Sequence, residues 1–166
     1  MRAPTEIAAP LALYRETVRP EWIDYNGHMN VAYYVLAFDH ATDAFFDFLG
    51  LDEAYRTGRN CSTFAVESHI TYVRELHAGD PMRFATQLVA FDEKRLHYFH
   101  HMYHGEDGFL AATAELLSLH VDMGCRRVSA MPAALLDRLA AVQAEHAGLP
   151  LPSQLGHVIR VARRAP

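Results

Sequence analysis

The chain has few cysteines, no excess of positive charge and no long uncharged apolar run. Its two cysteines among 166 residues are too few for a disulfide framework and do not form a metal-type pair. Lys and Arg total 15 against 20 Asp and Glu, for a net charge of -5, whereas a nucleic-acid-binding protein needs a basic surface for the phosphates. The most apolar stretch, residues 31–51, contains three aspartates and will not span a bilayer. The sequence therefore predicts no nucleic-acid partner and no membrane contact.

The start of the chain also lacks the apolar core of a signal peptide, and we expect a cytoplasmic location. Hydrophobic residues make up 51% of the chain and charged residues 21%, the proportions of one soluble globular domain. We predict a leader over residues 1–10, a single folded domain over residues 11–147 and a loosely packed tail over residues 148–166.

Hydrophobic patterning predicts one long helix, several strands and a second, peripheral helix. Residues 31–49 are apolar around most of a helix, with one polar stripe of aspartates, and Gly50 supplies a left-handed stop. Residues 52–60 are predicted to form a polar loop, and residues 132–145 a peripheral amphipathic helix. Strand patterns occur at 11–19, 62–76, 82–91, 95–104 and 109–121, with a short extension at 126–128.

The turns between the last four strands are short, and short turns favour antiparallel pairing of consecutive strands. One helix on one face of a curled antiparallel sheet is an α+β arrangement. The apolar surface of the helix is larger than the area that one face of the sheet can cover. We therefore expect a partner subunit that extends the sheet, in a homodimer or homotetramer with a shared active site.

A dense group of hydrogen-bonding residues precedes the long helix: Asp24, Asn26, His28 and Asn30. Next to them are the N–H groups of the first helical turn, which have no partner inside the helix and are suited to stabilise an oxyanion. A base or nucleophile beside such donors is what acyl transfer requires. A second interpretation stays open, because Asp and Asn also form turns and helix caps. For Asn30 alone, the N-cap interpretation is the favoured one.

The run WIDYNGHMNVAYY, residues 22–34, resembles the N-terminal signature of hotdog-fold thioesterases. It is similar in particular to the 4-hydroxybenzoyl-CoA thioesterase-like group and its bacterial relatives, including betainyl-CoA thioesterases of carnitine degradation. The predicted order of elements matches that fold from about residue 11 to residue 145. The resemblance implies a single hotdog domain, a long central helix wrapped by the sheet, that hydrolyses a small acyl-CoA, with betainyl-CoA among the candidates.

The resemblance also implies roles for individual residues. Asp24 matches the family carboxylate that acts as nucleophile or general base, and Gly27 matches the glycine that lets the loop pass close to the substrate. The N–H groups of Val31 and Ala32 match the donors that polarise the thioester carbonyl. Asn26 and His28 match catalytic positions of plant acyl-ACP thioesterases. The remaining neighbours are predicted to contact the substrate: Met29, Asn30, Tyr33 and Tyr34.

Glu67 is a further catalytic candidate, on the strand after the helix. Strict alternation places residues 65, 67, 69, 71 and 73 on one face of that strand. A carboxylate among β-branched and aromatic residues could orient a water molecule or contact a cationic acyl group. The alternative is a glutamate on the solvent side of the sheet. The additional acid of the plant enzymes falls near Thr71, where this sequence departs from their pattern.

Four histidines on one strand invite a metal-site interpretation: His97, His100, His101 and His104. Alternation puts only two of them on each face, and a metal site needs three or four ligands in fixed geometry. We therefore expect no metal and no cofactor beyond the CoA of the substrate. Arg56 and Arg59, which follow the long helix, are candidate ligands for the CoA phosphates.

Two other functions remain compatible with the sequence. A hotdog hydratase or dehydratase would also bind acyl thioesters, but it would use a histidine with a carboxylate rather than a loop that begins with Asp. A non-catalytic acyl-CoA-binding module would leave the carboxylate without a purpose. Thioester hydrolysis is the function that the sequence favours.

Overall fold

The structure is a computed structural model and describes residues 7–161 of the chain. The longest element is helix α1, Val31–Leu49. Asn30 caps its first turn, and Gly50 ends it in the left-handed conformation, with φ +87°, where a glycine carries no steric cost. The prediction of this helix, including both ends, is confirmed.

The apolar surface of α1 faces a six-stranded antiparallel sheet. The strands are β1 (Arg15–Thr17), β2 (Cys61–Tyr72), β3 (Pro81–Phe91), β4 (Arg95–His104), β5 (Leu110–Asp122) and β6 (Arg127–Val128). They follow the order β1-β3-β4-β5-β2, and β6 pairs with β5. We call the face that packs on α1 the inner face, and the opposite one the outer face. The predicted α+β fold is confirmed.

Consecutive strands pair across two of the three predicted turns, at β3–β4 and β4–β5. The prediction that β2 pairs with β3 is wrong, because β2 pairs with β5 at the end of the sheet. Residues 73–80 form a connection rather than a turn. Leu76 in its middle is fully buried and its carbonyl accepts a hydrogen bond from the N–H of Met29 at 2.8 Å. This hydrogen bond ties residues 73–80 to the segment before α1, and β2 and β3 are therefore not neighbours in the sheet.

Two other elements differ from the prediction, and the peripheral helix agrees with it. The predicted first strand shrinks to β1, and Leu11 forms only an isolated bridge with Thr86. Within the predicted loop 52–60 lies helix α2, Glu53–Arg59, which Asp52 caps by accepting the N–H of Tyr55 at 2.8 Å. The peripheral helix is confirmed as α3, Ala133–His146, and Leu135, Leu139 and Val142 pack into the same apolar cluster as Phe45 of α1.

The histidines of β4 divide between the two faces as alternation predicts. His100 is buried on the inner face, between the hydroxyls of Thr42 at 3.0 Å and Thr86 at 2.8 Å. Burial lowers the pKa of His100 to about 3, so its imidazole is a neutral member of the core. His97 faces the other way and contacts Glu115 at 2.8 Å.

The chain after α3 crosses the outer face of the sheet, and the described part of the predicted tail is exposed over most of its length but attached to the sheet by a few contacts. We call residues 148–158 the C-terminal strap. Pro152 of the strap is buried, and the N–H of Gly156 donates to the Glu115 carboxylate at 2.7 Å. The strap ends over β2, where the His157 ring meets that of His69 edge-on at 5.7 Å. Residues 1–6 of the predicted leader and residues 162–166 of the predicted tail lie outside the described residues.

Candidate active site

The segment before α1 is a tight hairpin, residues 23–30, which we call the Asp24 loop. The N–H of Asp24 donates to the carbonyl of His28 at 3.1 Å, and the N–H of Gly27 donates to the carbonyl of Asp24 at 2.9 Å. Gly27 has φ +82°, a conformation that is strained for residues with a Cβ. The bridge between Ile23 and Met29 closes the hairpin. These interactions fix the backbone of the loop, and none of them involves a residue of α1.

Both carboxylate oxygens of Asp24 accept hydrogen bonds. The backbone N–H of Asn26 donates to Oδ1 at 2.8 Å, and the side-chain amide of Asn30 donates to Oδ2 at 3.0 Å. The side chain of Asp24 is half-buried, so one side of it is open to solvent. A carboxylate whose two oxygens meet only donors is held in one orientation, which a general base or a nucleophile needs.

The first turn of α1 begins at Val31, directly after the Asp24 loop. The N–H of Ala32 donates to Oδ1 of Asn30 at 2.9 Å, and the N–H of Tyr33 donates to the carbonyl of Asn30 at 3.0 Å. Among residues 7–161, the N–H of Val31 has no hydrogen-bond partner. Of the two donors predicted for an oxyanion, Ala32 is thus already engaged, and Val31 is the one that stays free.

Several predicted substrate contacts are packed into the core. Met29 is 1% exposed and Tyr34 is 4% exposed. The Tyr34 hydroxyl accepts the N–H of Leu76 at 3.1 Å, and burial raises the pKa of this phenol, which keeps it neutral. Tyr33 is half-buried and stacks on Trp22, with ring centres 5.3 Å apart. These side chains pack into the apolar cluster next to the Asp24 loop. Of the three, only Tyr33 retains appreciable solvent exposure.

The other two loop candidates do not touch the Asp24 carboxylate with their side chains. The Nδ1 of His28 lies 3.2 Å from the carbonyl of Met29, and the His28 ring is half-buried. Asn26 is exposed and contacts Asp24 through its backbone. Their catalytic assignment remains a prediction, and in this structure both are next to Asp24 in the loop.

The structure does not bring Glu67 to Asp24 within one chain. A β-bulge at Val66 breaks the alternation, because Ala65 pairs with Ser118 while Glu67 pairs with Leu117. The predicted grouping of residues 65 and 67 on one face is therefore wrong. Glu67 lies on the outer face, at a cavity of about 380 Å³ that is also lined by residues of the C-terminal strap and by three outer-face side chains: His69, His97 and Glu115. Within the described residues, no three side chains of the metal-binding types gather in ligand geometry.

The predicted phosphate ligands lie at the far end of α1. Arg56 and Arg59 belong to α2, and the 19 residues of α1 separate them from the Asp24 loop by about 28 Å at 1.5 Å per residue. The guanidinium of Arg56 donates to the carbonyl of Leu51, and that of Arg59 lies over the ring of Tyr55. They could reach only the distal part of a long substrate bound at Asp24.

Sequence reasoning missed three residues that shape the site. Leu76 holds the loop and Tyr34 through its backbone, an interaction for which the sequence carries no signal. Arg19 lies over Trp22 at 5.0 Å and Arg74 over Phe109 at 3.9 Å, which places two cations on elements adjoining the loop.

A hydrogen-bonded carboxylate in the loop that leads into α1, followed by a free N–H at the start of that helix, in a hotdog α+β domain, defines the class of protein: an enzyme of acyl thioesters. Comparison with known proteins gives the family. The model of the Thioesterase-like superfamily matches residues 18–139, and this chain belongs to that superfamily. The prediction of a hotdog-fold thioesterase is thereby confirmed.

Two named proteins and one solved structure that are similar to this chain agree with this family. A betainyl-CoA thioesterase of Pseudomonas aeruginosa is 38% identical over 149 residues, which cover 90% of this chain and 94% of that protein. An L-carnitine dehydrogenase/betainyl-CoA thioesterase of Agrobacterium fabrum is 41% identical over 93% of this chain, but this chain spans only 31% of that longer protein. A Staphylococcus aureus protein, solved in complex with CoA, has a TM-score of 0.86 and 30% identity over 95% of this chain and 100% of that one. No helix within residues 7–161 has the length and apolar character to cross a membrane.

Proposed function

We propose that this chain hydrolyses betainyl-CoA to betaine and CoA, with Asp24 as the reacting carboxylate. The observation that carries the mechanism is that the amide of Asn30, which caps α1, also donates to the doubly hydrogen-bonded Asp24 carboxylate, while the N–H of the next residue, Val31, is free. The relatives named above support the substrate. Because one relative combines this activity with an L-carnitine dehydrogenase, the proposal also places the chain in carnitine breakdown.

The proposed reaction balances without a metal or redox cofactor. Asp24 accepts a proton from water as the water oxygen bonds to the thioester carbon, and the carbonyl oxygen becomes an oxyanion that the Val31 N–H stabilises. The carbon–sulfur bond then breaks, the leaving CoA sulfur takes up the proton that Asp24 had accepted, and the carboxylic acid is released, which returns Asp24 to its charged form. In a nucleophilic variant, an Asp24 oxygen attacks first and water hydrolyses the resulting anhydride.

The aromatic residues around the Asp24 loop suit a cationic acyl group. Two rings keep solvent-exposed surface there: Tyr33, which stacks on the buried Trp22, and Tyr72, which is 48% exposed and meets the buried Tyr34 edge-on at 5.2 Å. The faces of such rings attract a quaternary ammonium with roughly 0.5–2 kcal/mol, depending on its solvation. An uncharged acyl group of the same shape gains no such attraction.

Two CoA thioesters of equal shape test this substrate proposal. Betainyl-CoA and tert-butylacetyl-CoA differ in one atom, a nitrogen cation against a neutral carbon. Because the ammonium also activates the carbonyl, kcat/KM for each substrate is divided by its rate constant for hydroxide hydrolysis, and we expect this ratio to be higher for betainyl-CoA by roughly tenfold, the size of a cation–π contribution, with thiol release as the readout. Equal ratios would show that the cation is not recognised. No thiol release from either would contradict the thioesterase function, and hydration of crotonyl-CoA would favour the hydratase alternative.

We also propose that two copies associate through β2. This strand lies at an open end of the sheet and has 12 residues, a length that edge strands of monomers rarely leave unprotected. Exposed apolar residues lie along it and along the neighbouring side of α1: Val66 at 52%, Tyr72 at 48%, Val31 at 56% and Val35 at 48%. Continuation of the sheet through β2 of a second copy would cover them.

Substitution Val66→Arg tests the proposed homodimer. If the two β2 strands pair about their centres, two arginines come close together, and we expect a dimer to become a monomer in sedimentation velocity. Val128→Arg, at a similarly exposed valine of β6 (46%), is the matched control and should leave the dimer intact. A variant Val66→Arg with wild-type sedimentation would contradict the proposed interface. A homotetramer, a shared active site and a cytoplasmic location stay predictions from the sequence.

A further inference from the structure

The side-chain amide of Asn30 joins the Asp24 carboxylate to the start of α1. A backbone N–H can only donate, so the atom of Asn30 that meets the Ala32 N–H at 2.9 Å is the oxygen Oδ1. The amide nitrogen Nδ2 must then face Asp24, where it lies 3.0 Å from Oδ2. The two hydrogen-bond partners of the amide therefore determine its orientation.

The backbone of Asn30 is equally constrained. Its N–H donates to the carbonyl of Trp22 at 2.9 Å, and its carbonyl accepts the N–H of Tyr33 at 3.0 Å. Every polar group of this residue, in the main chain and the side chain, therefore makes a hydrogen bond. The half-buried amide cannot rotate without the loss of two of them.

We propose that Asn30 is a positioning residue, which fixes the orientation of Asp24 relative to the oxyanion-binding N–H of Val31. This inference rests on the proposed function, in which Asp24 is the reacting carboxylate. Asn30 acts through two contacts at once. Its Nδ2 orients Asp24, and its Oδ1 engages the Ala32 N–H and thereby leaves the Val31 N–H as the free donor of the first turn.

A role in helix capping alone predicts a different outcome for two conservative variants. Asp and Ser cap helices about as well as Asn, so Asn30→Asp and Asn30→Ser should fold normally, and a pure cap would leave the turnover of Asn30→Ser unchanged. Asn30→Asp keeps the acceptor for Ala32 but replaces the donor facing Asp24 with a second carboxylate. Asn30→Ser keeps the cap but is too short to contact Asp24.

We expect Asn30→Asp to lower kcat by roughly 10–100-fold and to move the acid limb of its pH–rate profile to higher pH by about one unit or more, because two adjacent carboxylates hold a proton. Asn30→Ser should lower kcat by about tenfold without that displacement, and KM should change little in either variant. Thermal unfolding of both variants should stay close to wild type. The measurements are thiol release from pH 5 to 9 and a thermal melt.

Wild-type turnover with an unchanged acid limb in Asn30→Asp would overturn the proposal, as would an activity loss that merely follows a lowered melting temperature. Asp24→Asn separates this failure from failure of the proposed function. If Asp24→Asn is inactive while both Asn30 variants are normal, only the positioning role is wrong. If Asp24→Asn is fully active, the proposed mechanism itself is wrong.

Discussion

Asp24→Asn is expected to lower kcat for thioester hydrolysis by a factor of about 1,000 or more, while the substrate still binds. An amide has nearly the shape of the carboxylate but neither accepts a proton from water nor attacks a carbonyl at neutral pH. The loss is expected whether Asp24 acts as a base or as a nucleophile, because both roles require its negative charge. Thiol release under saturating substrate measures the effect.

The fold should survive this substitution. In Asp24→Asn the new amide nitrogen must face either the N–H of Asn26 or the amide of Asn30, which are both donors. One hydrogen bond is lost, at a cost of about 1 kcal/mol, which is small against the 5–15 kcal/mol stability of a typical domain. Calorimetric titration with the substrate should therefore show binding to a folded protein.

Asp52→Asn is the matched control for this experiment. Asp52 also accepts a backbone N–H, that of Tyr55 at 2.8 Å, but it caps α2 beyond the opposite end of α1. Asn is an equally good cap, so activity and stability should both stay at the wild-type level. Full activity of Asp24→Asn would assign the chemistry to another group, whereas a loss of binding along with turnover would indicate a damaged loop.

The parts of the fold that the sequence predicts well are those with local signals. Helix α1 begins and ends where expected because Asn30 caps it and Gly50 stops it. The pairs β3–β4 and β4–β5 are joined by turns of a few residues, which leave antiparallel pairing as the simple arrangement. The position of β2 has no such signal, since it depends on the burial of Leu76 beside Met29, 47 residues earlier in the chain.

The same distinction separates the residues of the candidate site. The Asp24 loop was predictable because its polar groups lie within seven residues of each other and their side-chain contacts stay within that segment and the first turn of α1. The face of the sheet on which Glu67 lies depends on the bulge at Val66. The bulge reverses the faces of the following residues, and the hydrophobic pattern of the strand does not reveal it. The C-terminal strap was missed because its contacts with the outer face, such as that of Gly156 with Glu115, span 41 residues.

Val31→Pro is expected to lower kcat by about 100–1,000-fold, the effect of removing one donor to an oxyanion, with no loss of stability. Val31 is the first residue of α1, the position where proline is favoured because the missing N–H has no partner inside the helix. The preceding residue, Asn30, has φ -66° and ψ 144°, the extended conformation that a following proline requires. The side chain of Val31 is 56% exposed in the single chain, so little packing within the chain is lost.

Within one chain the substitution therefore removes a hydrogen-bond donor and little else, and any contact that the Val31 side chain makes in the proposed dimer is also lost in Val31→Ala. Val31→Ala is the matched control, because it shortens the same side chain and keeps the N–H, and its kcat should stay within about threefold of wild type. The melting temperature of Val31→Pro should equal or slightly exceed that of wild type, since proline restricts the unfolded chain. A proline variant that folds and hydrolyses at the wild-type rate would show that the oxyanion is stabilised elsewhere. A slow proline variant beside a fast alanine variant would assign the developing negative charge to this one N–H, and so would place the thioester carbonyl at the first turn of α1, next to Asp24.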